Sequence, residues 1–248
     1  MNSPSQPLQS FMLPGSGYGY TGTNIDNLTS FENTIATGLL DESGSTRSFA
    51  RQMELCVQEI IRSLRHCPAA DKLIYRHCHF DTNFREVHGF KPLAECHEKD
   101  YDGIWAGGGQ TALYNSCDNV LKATLDYAEQ QAAKRYVVNG IVYIITDGVN
   151  YLAAGGGLGQ DDVKSGLARC ISSEALESLM TILIGVNNDP GIRRDLEAFQ
   201  QNVGFTQFVP IEDANEKTLA KVANFISQSV QSQSQSLGSG GPSQSLTF

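Results

Sequence analysis

The chain has 248 residues, enough for one sizeable core, and its 40% hydrophobic and 18% charged residues are ordinary for a folded soluble protein. A net charge of -9, with no Lys/Arg cluster, argues against docking on nucleic acid or an anionic membrane. No apolar run approaches the roughly 20 residues that span a bilayer, and the first residues, MNSPSQPLQSFMLPGSGYGY, lack the basic and apolar regions of a secretory signal.

In chain order, residues 1–30 are rich in Ser, Gly, Pro, Asn and Thr and read as an irregular arm. Either the arm is a floppy tail, or Phe11, Tyr18 and Tyr20 pin it to the domain or to a neighbour. Residues 34–40 (TIATGLL) form a short apolar run that ends at Asp41 and fits a buried central strand. An amphipathic helix follows, with Phe49, Met53, Cys56, Val57, Ile60, Ile61 and Leu64 on one face. Residues 72–80 and 85–90 read as a second and a short third strand. A charged loop leads to Gly107, Gly108 and Gly109, and a helix is expected from about residue 112 to 134. Residues 137–146 (VVNGIVYIIT) carry the strongest strand signal and again end at an acid, Asp147. Beyond them, helices are expected near 161–176, 191–202 and 214–229, with strands at 179–186 and 207–211.

This alternation predicts an α/β domain over residues 31–230: a doubly wound, mostly parallel sheet with helices on both faces. Residues 231–248 are nearly all Ser, Gln and Gly; they cannot bury enough apolar surface to offset ordering, and disorder is expected there. Six scattered cysteines with no Cys-x-x-Cys pair predict reduced thiols and a cytoplasmic location.

Two strands thus end in an acid, at the carboxyl edge where open α/β sheets place ligands. The first loop reads Asp41-Glu42-Ser43-Gly44-Ser45, the second Thr146-Asp147-Gly148, and Gly107 to Thr111 lies between them in sequence, before a helix. Any one of these residues could be no more than a helix cap. Taken together and in order, they resemble the metal-ion-dependent adhesion site of von Willebrand factor A (vWA) domains. Asp41-x-Ser43-x-Ser45 is similar to the family's first site loop, Gly-Gly-Gln-Thr-Ala-Leu around Thr111 to the second, and Asp147 in IITDG to the third. Thr46 stands where many relatives have Met. The resemblance covers roughly residues 34–229 and implies a six-stranded, vWA/Rossmann-like sheet with a single antiparallel edge strand, here residues 85–90. It also implies that Ser43, Ser45 and Thr111 bind the metal directly, while Asp41 and Asp147 act largely through waters.

The donor chemistry agrees with this. Hydroxyls and carboxylates are hard oxygen ligands suited to Mg²⁺ or Mn²⁺. An ion ringed mainly by neutral hydroxyls and water stays under-neutralised and favours an incoming Glu or Asp carboxylate from a protein partner. Glu42 is expected to point away from the metal.

Other motifs carry less. Gly155 to Gly159 has the glycines of a phosphate loop but not its Lys-Ser/Thr ending, and Asp161 and Asp162 follow. His66, Cys67, His77, Cys78, His79, Cys96 and His97 fit no standard zinc spacing. On a strand His77 and His79 share one face and Cys78 points to the other, which reads as two edge or surface histidines beside a core thiol.

A non-catalytic, metal-dependent interaction module is therefore expected. By resemblance it would act as an adaptor in a larger intracellular assembly, including ones with AAA+ ATPases. A structural subunit of an oligomer, ordered by its terminal arms, is the alternative. Mg²⁺-dependent phosphoryl transfer is weaker still, because Ser43 stands where haloacid dehalogenase-like enzymes place a second Asp.

Overall fold

A computed structural model describes residues 7–13, 17–152, 157–236 and 246–248. Strand β3 (Glu32–Asp41) runs through the middle of the sheet with its side chains alternating between two cores. Ile35 and Leu39 face one core, Ala36 and Leu40 the other, and all four are buried. Parallel neighbours flank it: β4 (Leu73–Phe80) on one side and β6 (Val137–Thr146) on the other, followed by β7 (Ser178–Val186) and β8 (Gln207–Ile211). Buried on both faces, β3 and β6 carry the near-continuous apolar runs typical of parallel sheets.

Helices α1 (Ala50–Arg65) and α5 (Glu216–Gln235) cover one face; α2 (Leu113–Ala133), α3 (Gln160–Ser172) and α4 (Pro190–Val203) cover the other. In α1, Met53, Cys56, Val57, Ile60, Ile61 and Leu64 form the buried stripe, as their spacing predicts. Helix α4 opens with Asp189 as N-cap, accepting from the Gly191 and Ile192 amides, and with Pro190 in its first turn; Gly204 closes it at φ 90°.

Among the described residues the sheet has eight strands rather than six, in the order β1-β2-β5-β4-β3-β6-β7-β8. The two extra strands come from the arm: β1 (Gln9–Met12) and β2 (Gly19–Gly22) form an antiparallel pair, and β2 lies parallel to β5 (Phe84–Pro92). β5 is antiparallel to β4, as expected, but it is not the edge, because the arm covers it. The aromatics decide this. Tyr20 is buried, stacks on Phe11 and donates to Asp126 at 2.5 Å, while Tyr18 packs against Phe84. Beneath them Arg76 is fully buried, pairs with Glu86 at 2.7 Å and lies over the rings of Tyr20, Phe84 and Phe90. The arm thus follows the pinned reading for its described residues.

Helix α5 also runs six residues past its expected end, into the segment read as disordered tail. Gln233 is fully buried and donates to the Gly140 carbonyl and to Ser178 Oγ. Leu246 packs on the core and Phe248 meets Phe225 edge-on; residues 237–245 lie outside the described residues.

Between β3, β4 and β6 the absence of a side chain at Gly38 makes room for two hydroxyls. A Cβ there would sit 2.5 Å from Tyr143 Oη and 2.8 Å from Tyr75 Oη. Gly38→Ala is expected to destabilise the domain by about 1–3 kcal/mol, the usual cost of overpacking. Gly17→Ala, with nothing within 4 Å, is the control. Urea midpoints for the two variants that coincide would disprove the crowding.

Candidate metal centre

The parallel strands deliver their carboxyl ends to one edge, and there the two acids meet. Asp41 ends β3 with a fully buried side chain; its Oδ1 accepts from the Ser43 amide at 2.8 Å and its Oδ2 from Thr146 Oγ1 at 2.6 Å. Ser45 Oγ donates to Asp147 Oδ1 at 2.9 Å and lies 3.2 Å from Ser43 Oγ. Thr46, buried behind them, donates from Oγ1 to the Ser43 carbonyl at 2.7 Å and so braces the turn. Four of the five sequence-identified residues are therefore joined in one hydrogen-bonded cluster.

Thr111 is held differently. It forms an antiparallel bridge with Tyr151, through backbone bonds of 3.1 and 2.8 Å, and among the described residues no hydrogen bond joins its hydroxyl to the other four. Its loop is nonetheless anchored to the first one: the Gly44 amide donates to the Gly109 carbonyl at 3.0 Å. Asp81 and Thr82, just beyond β4, hold the same loop by accepting from the amides of Gly109 and Gln110. Close approach fixes Gly107, where a Cβ would lie 2.1 Å from the Glu42 carbonyl oxygen.

The electrostatics are those of two acids without a counter-charge. Burial pushes the Asp41 carboxyl up to about 6, against the hydrogen bonds from Thr146 and Ser43, and the nearby Asp147 charge adds to the rise. Burial also raises Asp147, opposed by the Ser45 hydrogen bond. Among the described residues neither carboxylate has a Lys, Arg or His partner within ion-pair distance. The described residues hold no group of three or more His, Cys, Asp or Glu side chains suited to a metal ion. A cation at this edge would meet two carboxylates and neutral hydroxyls, a hard-oxygen donor set that fits Mg²⁺ or Mn²⁺.

Glu42 turns to the other side of the strand end, as expected, and heads a network that sequence reading missed. It accepts from Arg85 Nη2 at 2.6 Å and Nε at 3.1 Å, from His79 Nδ1 at 2.9 Å and from the Ala106 amide at 3.3 Å. Burial alone would raise its carboxyl, but His79 and Arg85 outweigh that and hold it down at about 2. Behind His79 the chain continues: its Nε2 lies 2.9 Å from His77 Nε2, His77 Nδ1 lies 2.8 Å from Tyr75 Oη, and Tyr75 meets Tyr143 Oη. Donation in one direction, Tyr143 to Tyr75 to His77 to His79 to Glu42, satisfies every group with both imidazoles neutral. Burial lowers the affinity of both rings for a second proton, which agrees with that assignment.

The two histidines are thus fully interior, not edge or surface residues: they leave β4 on the face of Tyr75, where Tyr101, Trp105 and His88 of β5 pack against them. The signal was present in part. Glu42 shares the parity of Leu40, whose register partner on β4 is His79, so both side chains leave the sheet on one face. Of the glycine-rich loop at 155–159, residues 155 and 156 lie outside the described residues.

A central β3 flanked by parallel β4 and β6, one antiparallel strand beyond β4, helices on both faces and a candidate site at the carboxyl edge define a vWA-type fold. Among solved structures the chain is similar to proximal thread matrix protein 1 from the mussel byssus, at 16% identity and a TM-score of 0.57, over 80% of this chain and 48% of that one. Another structure of that protein carries a zinc-occupied MIDAS motif. The PilB minor pilin from Streptococcus sanguinis (11% identity, TM-score 0.57, 83% of this chain and 63% of that one) and the ArnB paralog VWA2 from Sulfolobus acidocaldarius (11%, 0.53, 80% and 45%) share the fold. The chain spans about half the length of the mussel protein. No family model and no curated protein sequence matches it. No helix among the described residues is long and apolar enough to cross a membrane.

Proposed function

We propose that this chain is a non-catalytic interaction module that holds one divalent cation, Mg²⁺ or Mn²⁺, on Asp41, Ser43, Ser45, Thr111 and Asp147, and binds a partner's Glu or Asp carboxylate through it. The observation that carries the reading is the pair of buried acids, Asp41 and Asp147, linked by the Ser43 and Ser45 hydroxyls and lacking a counter-charge. A cation would remove the burial cost of both carboxylates at once. Ser43 and Ser45 would supply neutral oxygens, leaving the ion charge for a carboxylate from outside. Ser43 in place of a second acid leaves Asp41 without the proton donor a phosphoryl-transfer enzyme needs. The vWA fold of the zinc-bearing mussel protein supports a metal here and makes Zn²⁺ the ion to test in competition. Six free thiols, five of them buried, suit a reducing, cytoplasmic setting; an adaptor role in a larger assembly is proposed on the resemblance to vWA domains alone.

Calorimetric titration tests the site. The wild-type protein is expected to bind Mg²⁺ or Mn²⁺ at one site, and Ser43→Ala combined with Ser45→Ala is expected to give no binding heat while melting as a folded domain. Unchanged metal affinity in the double variant would refute the assignment.

A further inference from the structure

The two ends of the sheet are finished differently. At one end β8 contains Pro210, which has no N–H to offer, with Glu212 just beyond it and Arg193 of α4 in an ion pair with that acid. At the other end β1 reads Gln-Ser-Phe-Met, without proline, charge or bulge, and no strand among the described residues lies outside it. Residues 1–25 contain no Asp, Glu, Lys, Arg or His, although the whole chain has a net charge of -9. Met12 is 72% exposed, more than any other large apolar side chain among the described residues.

The β1–β2 ladder fixes which backbone groups face outward. The Leu13 amide donates to the Tyr18 carbonyl at 3.0 Å, in the same register that sets Phe11 opposite Tyr20 and Gln9 opposite Gly22. The odd-numbered residues therefore bond to β2. The N–H and C=O groups of Ser10 and Met12 point the other way, to the open edge. Their side chains leave the sheet on the face opposite Phe11, which stacks on Tyr20 at 5.0 Å.

We propose that β1 pairs antiparallel with β1 of a second copy of this chain, centred on Phe11, and so joins two sheets edge to edge. In that register Ser10 of each copy lies opposite Met12 of the other, and the outward N–H and C=O groups exchange four backbone hydrogen bonds across a two-fold axis. Phe11 faces its own counterpart as a close, non-hydrogen-bonded pair, in which aromatic rings attract. Charge selects the occupant. Two copies of an acidic chain repel over most of their surface, but this strand and the residues around it bring no charge to the contact. The edge is thus complementary to itself, in its hydrogen-bonding groups and in its neutrality. The surface is small, so the association is weak, with a Kd on the order of 10 µM. The two-fold axis reverses every strand; the two Asp41 edges open in opposite directions and neither is covered.

The test is sedimentation equilibrium of the full chain over about 1 to 500 µM, a range that brackets the expected Kd. It compares wild type with Ser10→Pro, Met12→Lys and, as control, Ile171→Lys on the exposed side of α3. Ser10→Pro removes an outward N–H while leaving the bonds to β2, and Met12→Lys sets like charges at the contact. Wild type is expected to dimerise, both edge variants to associate at least about tenfold more weakly, and the control to stay within about twofold. Amide hydrogen exchange on the wild type gives a second reading that stands even where a variant fails to fold. The Ser10 and Met12 amides should exchange fast in dilute solution and slowly at high concentration, while Phe11 is slow in both. A chain that stays monomeric at the highest concentration, or a dimer that survives both edge variants, overturns the proposal. So does a dimer in which Ser10 and Met12 stay unprotected. Protection of those two amides already in the dilute monomer means that the chain's own residues fill the edge, and overturns it as well.

Discussion

Glu42→Ala is expected to lower the stability of the domain by about 2–4 kcal/mol, because a buried acceptor of several hydrogen bonds is lost while Arg85, half-exposed, regains part of its hydration. Glu42 is buried and accepts four hydrogen bonds, from two nitrogens of Arg85, from His79 and from the Ala106 amide. Alanine would leave the guanidinium and the ring without their acceptor, and the tyrosine–histidine chain behind them without its terminus. For a domain of this size the loss corresponds to a fall in Tm of roughly 4–16 °C. Glu42→Gln keeps the shape and part of the hydrogen bonding and should fall between. The pH dependence has a definite sign. The Glu42 carboxyl is depressed from 4.5 to about 2, so its stabilisation is complete above pH 4.5 and fades as pH falls toward 2. The gap between wild type and Glu42→Ala should therefore close over that window. A difference under about 1 kcal/mol at pH 7 would show that the network is not structural.

Asp41→Asn is expected to act in the opposite direction. The native carboxyl is raised from 3.8 to about 6, so a folded, metal-free domain at pH 7 carries an ionised group that the fold disfavours by about 3 kcal/mol. As pH falls, the native state takes up the proton first; the cost shrinks through pH 6 and is gone below 3.8. An asparagine removes the charge and can still accept from the Ser43 amide, while Thr146 Oγ1 retains the Gly148 carbonyl as acceptor at 2.9 Å. In EDTA at pH 7–8 the variant should be about 1–3 kcal/mol more stable than wild type, and the advantage should vanish by about pH 4. Saturating Mg²⁺ should reverse the order, because only the wild type gains the linkage stabilisation of a bound ion. A variant that is less stable than wild type in EDTA at pH 8 would contradict a buried, uncompensated charge.

Local periodicity was enough to place the core strands and the α-helices α1 to α5. The apolar runs of β3 and β6 and the stripe of α1 are written in nearest-neighbour sequence, at the two periods that the backbone itself imposes. The same locality made Asp41, Ser43, Ser45 and Asp147 legible, since each sits where a strand ends and a loop begins. What sequence could not supply depended on partners far along the chain. The arm becomes two strands because Tyr20 finds Arg76 and Asp126; α5 keeps its Ser/Gln turn because Gln233 finds Gly140 and Ser178. His77 and His79 are interior because Tyr101 and Trp105, from the segment after β5, pack over them, and Glu42 matters because β3 and β4 pair in the one register that sets it beside His79. Those contacts join residues tens of positions apart, and no periodicity within either segment encodes its partner; only chain folding brings them within hydrogen-bond range.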